Sequence, residues 1–139
     1  MLQQNLAATE DLGNGIFYES LFNNHIISFV ITSVSRLAID TWTETQARVM
    51  KEWPTNRPLC ILDDQSFVEN VTFTPYMKSR FSDLADASVD KSGRVAVVVG
   101  KGFFMQLART LFQGWNIGDM ELRFFLDRNE ALSWLQEIL

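Results

Sequence analysis

Cysteine and histidine occur once each in this 139-residue chain, as Cys60 and His25. A single cysteine excludes an internal disulfide and a cysteine metal cluster. Cys60 sits inside the apolar run Leu59 to Leu62, with the only histidine far away in sequence. That is the setting of a small buried hydrophobe, not of a thiol activated by a base. One histidine also leaves no zinc ligand set and no serine–histidine–aspartate arrangement. Basic charge is scarce as well: twelve Lys and Arg stand against seventeen Asp and Glu, for a formal net charge of −5, and the basic residues form no run. Phosphate contact needs a basic patch, so nucleic-acid binding is not expected. No apolar stretch approaches the roughly 20 residues of a membrane span. Met1 to Asp11 is polar and acidic, without the basic and apolar segments of a secretory signal. The expectation is a cytoplasmic protein.

What the chain does contain is enough apolar material for a core. Hydrophobic residues make up 47% and charged residues 21%, an ordinary globular balance that excludes disorder along the whole length. A chain of this size buries roughly 70% of its unfolded surface without a disulfide or a metal.

Met1 to Asn14 reads as a flexible lead-in, and Gly15 to Leu139 as a single domain. Ile16 to Phe22 and His25 to Ser33 are rich in β-branched and aromatic residues. Between them lies Asn23-Asn24, a pair that tolerates positive φ, which predicts a hairpin. His25 then falls at the hairpin end, a surface or cross-strand position. From Ser35 to Trp53 the period changes: Ile39, Trp42, Val49, Met50 and Trp53 mark one helical face, and Pro54 stops the helix. Leu59 to Leu62 followed by Asp63-Asp64 predicts a buried strand ending at a polar edge. Gln65 to Phe73 is irregular. Thr74 and Pro75 supply an N-cap and a first helical residue, with Met77, Phe81 and Leu84 as the buried face and a far end that runs into Ser92-Gly93. Val95 to Val99 is the clearest buried strand. Gly100-Lys101-Gly102 turns it into a third helix, Phe103 to Phe112. Leu122 to Leu126 is a last strand, and Asp127 with Glu130 forms a capping box for a final helix faced by Ala131, Trp134, Leu135 and Ile138. The order is β-β-α-β-α-β-α-β-α. It predicts an α/β fold with a mixed five-stranded sheet, an N-terminal hairpin, four helices and parallel pairing after the hairpin.

This order resembles the STAS domain of anti-sigma factor antagonists and sulfate transporter tails, and most of all the stand-alone antagonist-like proteins. The likeness is carried by Ile61-Leu62-Asp63, by Gly93 through Val99, and by Arg123-Phe124-Phe125 running through Asp127 into Glu130-Ala131-Leu132-Ser133-Trp134-Leu135. It spans about Ile16 to Leu139. The resemblance implies a non-catalytic regulatory module with a protein partner or self-association, and no cofactor. In the antagonists a serine or threonine after the central strand, at the start of the next helix, is phosphorylated to switch partner binding. The corresponding candidates here are Ser66 and Thr74. The family pattern sets an aspartate, the phosphoacceptor and a glycine close together. This chain has Asp63 and Ser66 but no glycine following, and its loop is longer.

The residues themselves offer a second reading. In an open α/β sheet, ligands bind outside the carboxyl ends of the parallel strands. Those ends present Asp63, Asp64 and Gln65, then Gly100, Lys101 and Gly102, then Asp127. Asp63 and Asp64 are neighbours on a strand and point to opposite faces, which argues against paired-carboxylate chemistry. Asp127 is needed as a cap. Gly100-Lys101-Gly102 lacks the spacing of a phosphate loop and reads as a tight turn. The segment Phe103, Phe104, Met105, Leu107, Leu111, Phe112, Trp115 and Ile117 is apolar around most of a helical circumference. Either a neighbouring loop covers it, or Phe103, Met105 and Phe112 with Asp63, Asp64 and Lys101 form a surface for a partner or the wall of a site for an apolar or phosphorylated small molecule.

Overall fold

A computed structural model of the chain describes residues 8–68, 74–102, 116–117 and 119–139. The elements among them are β1 (Ala8–Gly13), β2 (Ile16–Leu21), β3 (Ile26–Ile31), α1 (Arg36–Glu52), β4 (Leu59–Asp64), α2 (Pro75–Ala87), β5 (Ser92–Val98), β6 (Asn116–Ile117), β7 (Asp119–Phe125) and α3 (Arg128–Gln136).

Local chemistry accounts for most of the boundaries. Gly13, Asn14 and Gly15 all have positive φ, and Gly13 N–H donates to Asp11 Oδ1 at 2.9 Å, which closes the turn between β1 and β2. Phe22, Asn23 and Asn24 also take positive φ and join β2 to β3. The three helices α1, α2 and α3 start in the same way. Ser35, Thr74 and Asp127 accept from the backbone N–H of Ala38, Met77 and Glu130, each at 3.2 Å, so each satisfies one orphan donor of a first turn. Trp53 ends α1, and Pro54 prevents its continuation.

The strands form one sheet in the order β1-β2-β3-β4-β5-β7-β6. β1, β2 and β3 make an antiparallel meander. β3, β4, β5 and β7 are parallel, and β6 pairs antiparallel to β7 at the far edge. On one face α1 and α2 pack over Phe29, Ile31, Leu59, Ile61, Val95 and Val97. On the other face α3 covers Cys60, Leu62, Ala96 and Val98 through Ala131, Trp134 and Leu135. β4 is therefore buried on both sides along all six residues, the condition that makes a continuous apolar run favourable in a central parallel strand. Its neighbour comes close at Gly93 (φ 149°), where an added Cβ would lie 1.9 Å from Leu59 O.

The chain is an α/β protein with a mixed sheet, as expected, but three details differ. Residues 8–13 are not lead-in: they form β1. Thr9, Glu10 and Asp11 are exposed there, and an edge strand needs little apolar material. The sheet has six strands of six or seven residues and a two-residue edge, β6, in place of five strands. α2 ends at Ala87, because Ser88 turns back to donate to Ala85 O at 2.9 Å. Three helices are described. The fourth expected helix, Phe103 to Phe112, with Phe103, Met105 and Phe112, lies outside the described residues.

Candidate functional site

β3, β4, β5 and β7 all end at one edge of the sheet, and the last residues of β4 supply two buried carboxyls there. Asp63 and Asp64 are each 2% exposed. They belong to opposite faces, as the two-residue period of a strand requires.

Asp63 faces α1. Trp42 Nε1–H donates to Gln46 Oε1 at 2.8 Å and to Asp63 Oδ1 at 3.1 Å. Trp42 and Gln46 are one turn apart on the helix, so both reach the same point. Gln46 also hydrogen-bonds the carboxyl. No Lys, Arg or His among the described residues lies within ion-pair distance of it. Burial therefore dominates, pushing the carboxyl up to about 7, and the bonds from Gln46 and Trp42 only partly oppose this.

Asp64 has different partners. Arg128, the first residue of α3, places Nη1 2.9 Å from Asp64 Oδ2 and Nη2 3.2 Å from Glu19 Oε1 on β2. One guanidinium thus ties two strands to a helix. Ser66 closes the other side: its N–H and Oγ–H donate to Asp64 Oδ1 at 3.0 and 2.6 Å. Ser66 itself is exposed. Gln65, between them, is 2% exposed; its N–H extends the ladder to Val98 O at 2.7 Å, and its Oε1 is buried without a hydrogen-bond partner among the described residues. Phe67 follows with 64% of its surface in solvent.

No family model, no curated protein and no solved structure matches the chain.

Of the residues singled out from sequence, the structure joins Asp64 to Ser66 and sets Asp63 apart behind the sheet. Thr74 is half-buried, and its hydroxyl accepts the cap bond from Met77 N–H. Lys101 is exposed just beyond β5. Asp127 caps α3. Sequence reasoning missed Arg128 and Glu19, whose partners are far along the chain. It also missed Gln46, which carried a readable signal: a polar residue one turn after Trp42 on an apolar stripe. Away from this edge, an open groove of about 560 Å³ runs between α1 and α2. Glu44, Glu52, Asp83 and Asp86 line it with Arg48, Lys51 and Arg80, so it favours neither sign of charge.

Cys60 Sγ–H donates to Leu135 O at 3.8 Å, and burial pushes the thiol up to about 11. This is the inert cysteine its apolar neighbours predict. His25 is exposed, with Nδ1 3.4 Å from Arg57 Nη2.

Proposed function

We propose that the chain is a non-catalytic protein-interaction or regulatory module of the kind its resemblance to the STAS domain implies, with Ser66 as the phosphoacceptor. The observation that carries this reading is the seat of the Ser66 hydroxyl: exposed, just past the end of β4, and donating to Asp64, which Arg128 links to α3 and to β2.

The chemistry of a switch follows from that seat. A phosphoserine carries about −1.5 to −2 charges at neutral pH and no hydroxyl hydrogen to donate. It repels the Asp64 carboxylate, and its oxygens compete for the guanidinium of Arg128. Arg128 in turn holds Glu19, so phosphorylation changes contacts on β2, β4 and α3 together. Phe67, one residue on, is the exposed apolar side chain a partner would cover. Thr74 is the weaker acceptor, since its oxygen already serves the α2 cap. The element order from β2 to β5 supports the reading: a hairpin, then helices and strands in alternation.

The test combines phosphosite mapping with native mass spectrometry. Protein from its own host is expected to carry phosphate on Ser66. Association, as a dimer or with a partner, is expected to persist in Ser66→Ala and to be lost in Ser66→Asp. Absence of phosphate on Ser66, with identical association in all three proteins, refutes the reading.

A small-molecule site at the same edge has one observation in its favour, the buried Oε1 of Gln65, which has no hydrogen-bond partner among the described residues. A bound small mass in the same spectra, lost in Gln65→Leu, would replace the regulatory reading with that one.

A further inference from the structure

Among the described residues, the carboxyl of Asp63 is the one buried acid of this edge that the Ser66 arrangement does not use. We infer that Asp63 is a protonation switch that couples solution pH to the seating of α1 on β4.

A carboxylate taken out of water is strongly disfavoured unless a cation or several hydrogen bonds compensate it. Asp63 is 2% exposed. Its register partners on the flanking strands are Phe29 on β3 and Val97 on β5, both uncharged. From α1 it meets Trp42 and Gln46, which are neutral donors. The charged and titratable groups of the two covering helices form a separate network. Arg80 of α2 lies 3.4 Å from Asp40 and 3.5 Å from Glu44 on α1, and 3.2 Å from Asp83 on its own helix. Its Nε–H donates to Thr43 Oγ1 at 3.1 Å. Tyr76 hydrogen-bonds Asp40, and Arg36 stacks on Tyr76. Arg80 is thus committed to three carboxylates at the helix seam.

Two neutral donors hold the ionised form imperfectly, so the neutral acid is preferred until the solution is depleted of protons. Burial accordingly raises the carboxyl to about 7. When the proton leaves for solvent, the carboxylate must draw its two donors closer or admit water. Trp42 Nε1–H is shared between Asp63 and Gln46, so either response redistributes that hydrogen bond. Trp42 packs edge-on against Phe81 of α2 at 5.3 Å, which carries the change to the second helix. The device is independent of Ser66: it lies on the opposite face and needs only a proton.

The experiment follows the indole N–H signal of Trp42 in the ¹⁵N-labelled full chain from about pH 5 to about pH 9, assigned with Trp42→Phe. The signal is expected to titrate with a midpoint near 7, and backbone amides of α1 around Trp42 and Gln46 are expected to move with the same midpoint. Gln46→Ala removes a donor to the charged form and is expected to raise the midpoint. Asp63→Asn is expected to abolish the titration, and Ser66→Ala to leave it unchanged. A flat Trp42 signal across the range overturns the inference, as does a titration that persists in Asp63→Asn. If Asp63→Asn does not fold, a midpoint in Gln46→Ala that stays fixed or falls does the same.

Discussion

Replacing the acid at position 63 by its amide is expected to stabilise the protein at neutral and alkaline pH, an unusual outcome for a change at a fully buried residue. Asp63→Asn keeps an oxygen that can accept from Trp42 Nε1–H and abolishes the charge that burial opposes. The carboxyl titrates near 7 in the folded chain and near 3.9 in an unfolded one. A raised acid pKa favours the protonated fold, so its contribution is fully present below about pH 4 and is lost as pH rises to about 7. About three units at 1.36 kcal/mol each give a loss of about 4 kcal/mol, taken as an upper bound because water entry relaxes a buried charge. At about pH 8 Asp63→Asn is therefore expected to exceed the parent by about 2–4 kcal/mol, while at about pH 4 the two should differ by less than about 1 kcal/mol. Chemical denaturation followed by circular dichroism at both pH values measures the difference directly, and the comparison between variants cancels the other titrating groups. Equal destabilisation by Asp63→Asn at both pH values would refute the reasoning, for it would mean that the folded carboxylate is as well solvated as the unfolded one.

Other consequences are equally open to measurement. Arg128→Ala removes the cation from Asp64, which is buried, while Arg128 itself is about a third exposed. The expected cost is about 2–3 kcal/mol, between the values for buried and surface pairs, and Asp64→Asn in the same chain should recover part of it in a double-mutant cycle. Cys60, with its thiol held near 11, should resist alkylation at neutral pH and react only at the rate at which the protein unfolds. Gly93→Ala sets a Cβ 1.9 Å from Leu59 O at a φ of 149°, so a loss of about 3 kcal/mol or more is expected, visible as a lowered thermal midpoint or as unfolded protein.

What could be read from the sequence was what depends on near neighbours. Thr74 and Asp127 cap helices because a short polar side chain can reach the N–H three residues on. Leu59 to Leu62 is a central strand because only a strand covered on both faces favours such a run. The opposed directions of Asp63 and Asp64 follow from the strand period alone. β1 escaped because its exposed Thr9, Glu10 and Asp11 look like a solvated tail, and only pairing with β2 makes them a strand. The partners at the strand ends escaped for a different reason. Arg128 meets Asp64 across 64 residues of sequence and Glu19 across 109, and no local pattern encodes that meeting. Gln46 is the intermediate case: its spacing from Trp42 marks it as facing inward, but the carboxyl it serves comes from another element.

The two aspartates closing β4 also bear on how the strand finds its place during folding. Leu59, Cys60, Ile61 and Leu62 are apolar toward both helical layers, so those four residues alone would tolerate sliding by one position. Such a slip exchanges the faces of every side chain. It would carry Asp64 into the layer of Trp42 and Phe29, away from Arg128, and would turn Asp63 toward α3 without Gln46. A mismatch at the end of the strand thus penalises an error that its middle cannot detect. The adjacent acids act as an alignment mark, giving a uniformly greasy strand a single admissible offset.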